Sequence, residues 1–141
     1  MKVCVLGNSH AASLKSAWDD LAPLHPDKEL VFFAARSDGL KELAVQGHIL
    51  QPTTQSLADA ISYTSGGRAS IDLRAYDGFV TYGLALELPS LDRRCSSAVS
   101  RQACSDLFAS SLNGVLTRML RSATDKPVFV GHAPQKAASP T

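Results

Sequence analysis

The sequence predicts an α/β protein: a three-layer sandwich around a parallel sheet of at least four strands. Two observations lead there. Short uninterrupted apolar runs recur along the chain, as in KVCVL at the start and LVFFAA thirty residues on. Runs of that kind are what strands buried on both faces look like. Between them lie stretches with helical spacing, and strands separated by helices become parallel neighbours through right-handed crossovers. The expected strand order is 2-1-3-4. Residues 1–132 read as one domain without internal repeats, and residues 133–141 as a Pro/Ala-rich tail.

The first strand, Lys2 to Leu6, stops at Gly7. Leu14, Ala17, Trp18 and Leu21 then recur at i, i+3, i+4 and i+7, the apolar stripe of a helix that ends before Pro23. Leu30 to Ala35 forms the second strand, closed by Arg36-Ser37-Asp38-Gly39, which completes a βαβ unit. Leu40 to Gln46 reads as one or two helical turns ended by Gly47. Ser56 to Tyr63 reads as a helix with Leu57, Ala60 and Ile61 inward. A third strand runs from about Phe79 to Tyr82, and residues 85 to 100 read as a loop containing Pro89 with a short helical start. From Ser105 one helix carries Phe108, Leu112, Val115, Leu116 and Met119 on a single face, with Arg118 and Arg121 near its end suiting the helix dipole. Val128 to Val130 is the fourth strand, leading to Gly131-His132. Val3, Val5, Phe32, Phe33, Val80, Val128 and Val130 are the expected buried strand positions, with Trp18 and Leu116 packing from the helices.

Composition narrows the function classes. The 141 residues are 45% hydrophobic and 19% charged, with Lys+Arg 14 against Asp+Glu 13. A chain so balanced buries a core and carries no basic footprint for nucleic acid and no basic face for a membrane. No apolar stretch approaches the ~20 residues of a bilayer span. The short N-terminal apolar run is not a secretory h-region, so a cytoplasmic location is expected. The cysteines, Cys4, Cys95 and Cys104, are odd in number and have no C-x-x-C or zinc-ligand spacing, so they read as free thiols, with no metal and no cofactor expected.

In open parallel sheets, ligands bind beyond the carboxyl ends of the strands. That rule selects the loops Gly7–His10, Arg36–Gly39, Gly83–Leu86 and Gly131–Pro134. In Gly7-Asn8-Ser9-His10 the glycine permits a sharp turn and Ser9 arrives at the start of a helix. There a serine can act as nucleophile, its oxyanion held by backbone N–H groups. The N–H groups of His10 to Ala12 are expected to attract a small anion or a water cluster. Asn8 and Ser9 are also good helix caps, and the residues alone leave both roles open. His25 and His48 read as loop residues. His10 reads as pocket-lining, and His132 as a candidate base only if the strand ends lie close. Arg36 and Ser37 close a strand; they also stand where a dinucleotide site reads a 2′-phosphate, since Gly7 to Ala12 overlays G-x-G-x-x-G/A. Ser9 in place of the second glycine is a physical objection to that reading.

Gly7-Asn8-Ser9 after an apolar first strand resembles the first block, Gly-Asp-Ser, of the SGNH (GDSL-type) hydrolases, with Asn for Asp. Gly39 falls where their second block supplies a backbone glycine. Gly83, at the end of Tyr-Asp-Gly-Phe-Val-Thr-Tyr-Gly, falls where their third block begins, but Leu84, Ala85 and Leu86 follow, without the usual Asn. Their Asp-x-x-His block has no counterpart in the chain. The resemblance implies an SGNH- or flavodoxin-like arrangement and a serine ester hydrolase or acyl transferase acting on a small ester or acylated carbohydrate. Ser9 would be the nucleophile, Gly39 an oxyanion donor and Gly83 pocket backbone. Gly7, Asn8, His10 and Arg36 would line the ligand site. It also implies that residues 1–132 are the N-terminal part of a longer domain whose Asp and His lie beyond residue 141. The alternatives are a non-catalytic α/β domain binding a nucleotide, phosphate or sugar, and an interaction domain with a decayed triad.

Overall fold

The computed structural model describes residues 1–84, 94 and 96–132. Cys95, the 85–93 stretch with Ala85, Leu86 and Pro89, and the 133–141 tail lie outside the described residues. The chain is α/β, with a parallel four-stranded sheet. Strand β1 (Lys2–Gly7) pairs on one side with β2 (Glu29–Ala34) and on the other with β6 (Gly78–Leu84), which in turn pairs with β7 (Val128–His132). The order β2-β1-β6-β7 is the expected order of the large sheet, with further strands inserted in the chain between its second and third members.

Those further strands are a correction. Leu40 to Gln46 is not helical throughout: a 3-10 turn at Gly39–Glu42 gives way to β3 (Leu43–Gln46). β3 pairs antiparallel with β4 (Ile49–Pro52), and β4 with the two-residue β5 (Ile71–Asp72). The hairpin turns on Gly47-His48, and Gly47 has φ +63°, the left-handed backbone a two-residue hairpin loop needs. Buried Leu43 and Leu50 anchor this small sheet to the core.

Helix α1 (Ala11–Leu21) follows β1, and α2 (Gln55–Ser65) follows β4. Thr54 caps α2, its hydroxyl accepting from the Leu57 N–H, and Gly66 closes it at φ +76°. The expected single helix after Ser105 is two: α3 (Ser97–Ser110) and α4 (Leu112–Ala123). The break lies at Ser111, whose backbone is extended and whose hydroxyl accepts from the Gly114 N–H at 3.1 Å. Gly114 permits the sharp joint, because a Cβ there would lie 1.9 Å from the Phe108 carbonyl oxygen.

Side chains alternate across the sheet, so each strand serves two faces. Cys4, Leu6, Val31, Phe33 and Phe79 face α2 and α4 and form one buried cluster with Leu57, Ile61, Leu112, Leu116 and Leu120. Tyr76 closes that cluster edge-on to Phe33 and Phe79. The opposite face, carrying Val3, Val5 and Gly7, receives α1, whose Ala11 methyl sits against Gly7. Helices on both faces make the three layers.

Cover on the α1 face is partial. Along the paired row Val5, Phe32, Val80 and Phe129, exposure rises from 1% and 4% at the first two to 64% at Phe129. The expected burial therefore fails for Val130, which is exposed, and is incomplete for Val3, Val80 and Val128, which are half-buried. The α1 stripe is likewise not fully core: of that helix only Ala11 is buried, Leu21 is exposed, and Trp18 is half-buried and stacks on His25. At the opposite end of the sheet Lys126 ties the β6 entry to the β7 entry, its ammonium donating to the carbonyls of Leu73, Arg74 and Tyr76.

Candidate functional site

The carboxyl end of β1 is held by a short set of bonds. Asn8 Oδ1 accepts from the His10 N–H at 3.0 Å, which shapes the turn into α1. Its amide nitrogen donates to the Gly83 carbonyl at 3.0 Å. Asn8 thus bolts the β1 loop to the end of β6, across the point where the chain changes direction within the sheet. Gly83 has φ +73°, and a Cβ there would lie 2.5 Å from the His10 Cβ and 3.2 Å from Asn8 Oδ1. Gly7 is required by a second close approach: a Cβ on it would meet the Ala11 Cβ at 2.7 Å and the Tyr82 carbonyl at 3.0 Å. Glycine at both positions lets β1, α1 and β6 converge.

Ser9 stands exposed at the tip of this turn. The backbone donors around it are unequal. The His10 N–H is taken by Asn8 Oδ1, the Ala11 N–H by the Asn8 carbonyl at 3.0 Å and the Ala12 N–H by the Ser9 carbonyl at 3.2 Å. The expected anion cradle of His10 to Ala12 is therefore committed to the chain's own acceptors. The Ser9 N–H has no acceptor among the described residues. Gly39 does not add to it: its N–H donates to the Arg36 carbonyl at 3.0 Å, so an oxyanion role requires that turn to open.

The histidines do not converge on Ser9. His10 packs its Cβ against Gly83, and His132 pairs with Leu84 at the exposed end of β7. β6 separates β7 from β1, roughly 10 Å at the ~4.8 Å spacing of neighbouring strands. No hydrogen bond joins Ser9 to a histidine or a carboxylate among the described residues.

The structure instead joins Ser9 to a cleft on the β2 side. A cavity of about 730 Å³ opens between the start of α1, the end of β2 and the outer face of α2. Asn8, Ser9 and Arg36, three of the expected site residues, line it, while Gly39, Gly83, His10 and His132 do not. Its floor is apolar, from Ala11, Ala12, Phe32, Ala34, Ala35 and Ala60. Thr64 reaches from α2 to the edge strand, its hydroxyl accepting from the Ala34 N–H at 3.0 Å and donating to the Ala60 carbonyl at 3.1 Å. Lys15, Ala60, Tyr63 and Thr64 are among the lining residues that sequence reasoning missed. Their only signal is positional: Ala60, Tyr63 and Thr64 are spaced i, i+3 and i+4, a second face of α2 beside the one that carries Leu57 and Ile61.

Among the described residues, no group of three or more His, Cys, Asp or Glu side chains could hold a metal ion. None of their helices is long and apolar enough to cross a membrane. Cys4 is buried beneath the sheet, which pushes its thiol pKa far up and leaves it unreactive, whereas Cys104 is exposed on α3. No protein-family model matches the chain, and no curated protein or solved structure matches it significantly.

Proposed function

We propose that this chain is a cytoplasmic SGNH-like serine ester hydrolase or acyl transferase, acting on a small ester or acylated carbohydrate, with Ser9 as its nucleophile. The observation that carries the reading is the placement of Ser9. It is exposed at a strand-to-helix turn on the carboxyl edge of a parallel sheet, borders a cleft of ligand size, and keeps its own N–H uncommitted among the described residues. In this mechanism the Ser9 oxygen attacks the acyl carbon as its proton passes to a histidine base, and the Ser9 N–H donates to the oxygen that gains negative charge. The ester's C–O bond then breaks as its alcohol leaves with that proton. Asn8 does no chemistry itself; its two hydrogen bonds hold Ser9 at the cleft. The SGNH- or flavodoxin-like fold belongs to the same proposal.

A serine needs a base to take its proton, and that favours a second reading. Because Ser9 has no hydrogen-bonded histidine among the described residues, the cleft could serve binding alone, for a nucleotide, phosphate or sugar. Labelling with a fluorophosphonate probe separates the two. The hydrolase reading expects labelling of the full-length protein that is lost in Ser9→Ala. Loss also in His132→Ala, but not in His10→Ala, would make His132 the base. Absence of labelling in the full-length protein, or labelling indifferent to Ser9→Ala, overturns the hydrolase reading in favour of binding.

A further inference from the structure

The cleft beside Ser9 has a chemical character of its own. Its walls are mostly methyl and phenyl groups, from Ala11, Ala12, Phe32, Ala34 and Ala60. Among the described residues two cations, Lys15 and Arg36, line it, and no carboxylate does. Lys15 is already paired with Asp19 on its own helix at 2.8 Å. Arg36 has no ion pair or hydrogen bond through its guanidinium among the described residues. A cavity of about 730 Å³ lies within the roughly 300–1,000 Å³ of small-molecule sites. An apolar trough with one unpartnered cation is complementary to a molecule with an apolar body and one negative end.

The occupant can be narrowed further. A peptide strand added to the β2 edge would need the outward N–H of Ala34, and Thr64 already occupies it. A guanidinium offers two parallel N–H donors matched to the two oxygens of a carboxylate. We propose that this cleft binds an amphipathic carboxylate, its alkyl chain against Ala11, Ala12, Phe32 and Ala60 and its head group on Arg36. The site does not depend on Ser9 being a nucleophile, so it stands or falls separately from the hydrolase reading.

The test is calorimetric titration of the full chain with decanoate below its micelle concentration, beside decanol, decyl phosphate and decylamine. Decanoate is expected to bind one to one, and decanol and decylamine at least about tenfold more weakly. Arg36→Gln, an exposed substitution that leaves the fold intact by circular dichroism, should weaken decanoate about tenfold and leave decanol unchanged. Ala60→Trp should remove binding by filling the trough, and Phe129→Ala, at the other edge of the sheet, should leave it unaltered. No decanoate binding, or binding indifferent to Arg36→Gln, overturns the proposal. Tighter, Arg36-dependent binding of decyl phosphate overturns the carboxylate assignment.

Discussion

The two faces of the parallel sheet are built from the same strands yet finished differently. On the face toward α2 and α4, Leu6, Phe33, Phe79, Leu116 and Leu120 are all at 0% exposure. On the face toward α1, burial fades from Val5 across the sheet to a Phe129 that is 64% exposed. One helix covers the β1–β2 half of that face, and among the described residues none covers the β7 half. The lesson concerns apolar runs: Val-Phe-Val at the fourth strand is as apolar as Val-Cys-Val at the first, yet only the central strand is enclosed. Apolar content marks a strand; its neighbours decide whether it is core.

The largest difference between the two faces is expected at Phe33. Phe33→Ala empties a fully buried position and should cost about 3–5 kcal/mol in denaturant titration. A small loss there would mean the α2 and α4 face is not the main core. Tyr76 gives a second probe of the same face. Burial raises its phenol pKa to about 12, so the folded state holds the proton more tightly than the unfolded chain. Its contribution to stability is complete below about pH 10 and is lost as pH rises through about 12. Ultraviolet titration should show one tyrosine ionising late, and Tyr76→Phe should flatten the alkaline fall in stability.

On the α1 face the effects should shrink with position. Val80→Ala, at a half-buried site, should cost about 1 kcal/mol by the area it loses. Phe129→Ala should change stability by no more than about 0.5 kcal/mol, as surface substitutions do. A loss at Phe129 comparable to that at Phe33 would show that the exposed half of the sheet is covered in solution.

Much of this architecture is legible in the sequence. The βαβ start, α2, the third and fourth strands of the large sheet and their order all follow from apolar runs and helical spacing. Leu43 to Gln46 is not told from one helical turn by its sequence, because four residues are too few to show either period. Only pairing across Gly47-His48 decides between them. The break at Ser111 escaped because Phe108 and Leu112 keep helical spacing on either side of it. At the site, Ser9, Asn8 and Arg36 could be found because β1 and β2 are consecutive strands of one βαβ unit, and both loops leave the same edge. The α2 wall could not, since Ala60 and Thr64 come from an element that reaches the cleft only through tertiary packing. That the Gly39 N–H donates to the Arg36 carbonyl, in the turn between β2 and the 3-10 segment, is set by backbone geometry that the residue types do not reveal.

The open side of β7 has a consequence for the protein in bulk solution. β7 pairs with β6 alone, so its outward N–H and C=O groups form a row without strand partners among the described residues. Val128, Phe129, Val130 and Gly131 carry no charge, and Phe129 and Val130 lie exposed beside that row. Unguarded edges of this kind are templates on which other chains can add strands. As protein concentration rises, turbidity should therefore appear while the molecules remain folded. A lysine at position 129, Phe129→Lys, should raise the concentration at which the solution clouds, because a charged edge repels incoming strands.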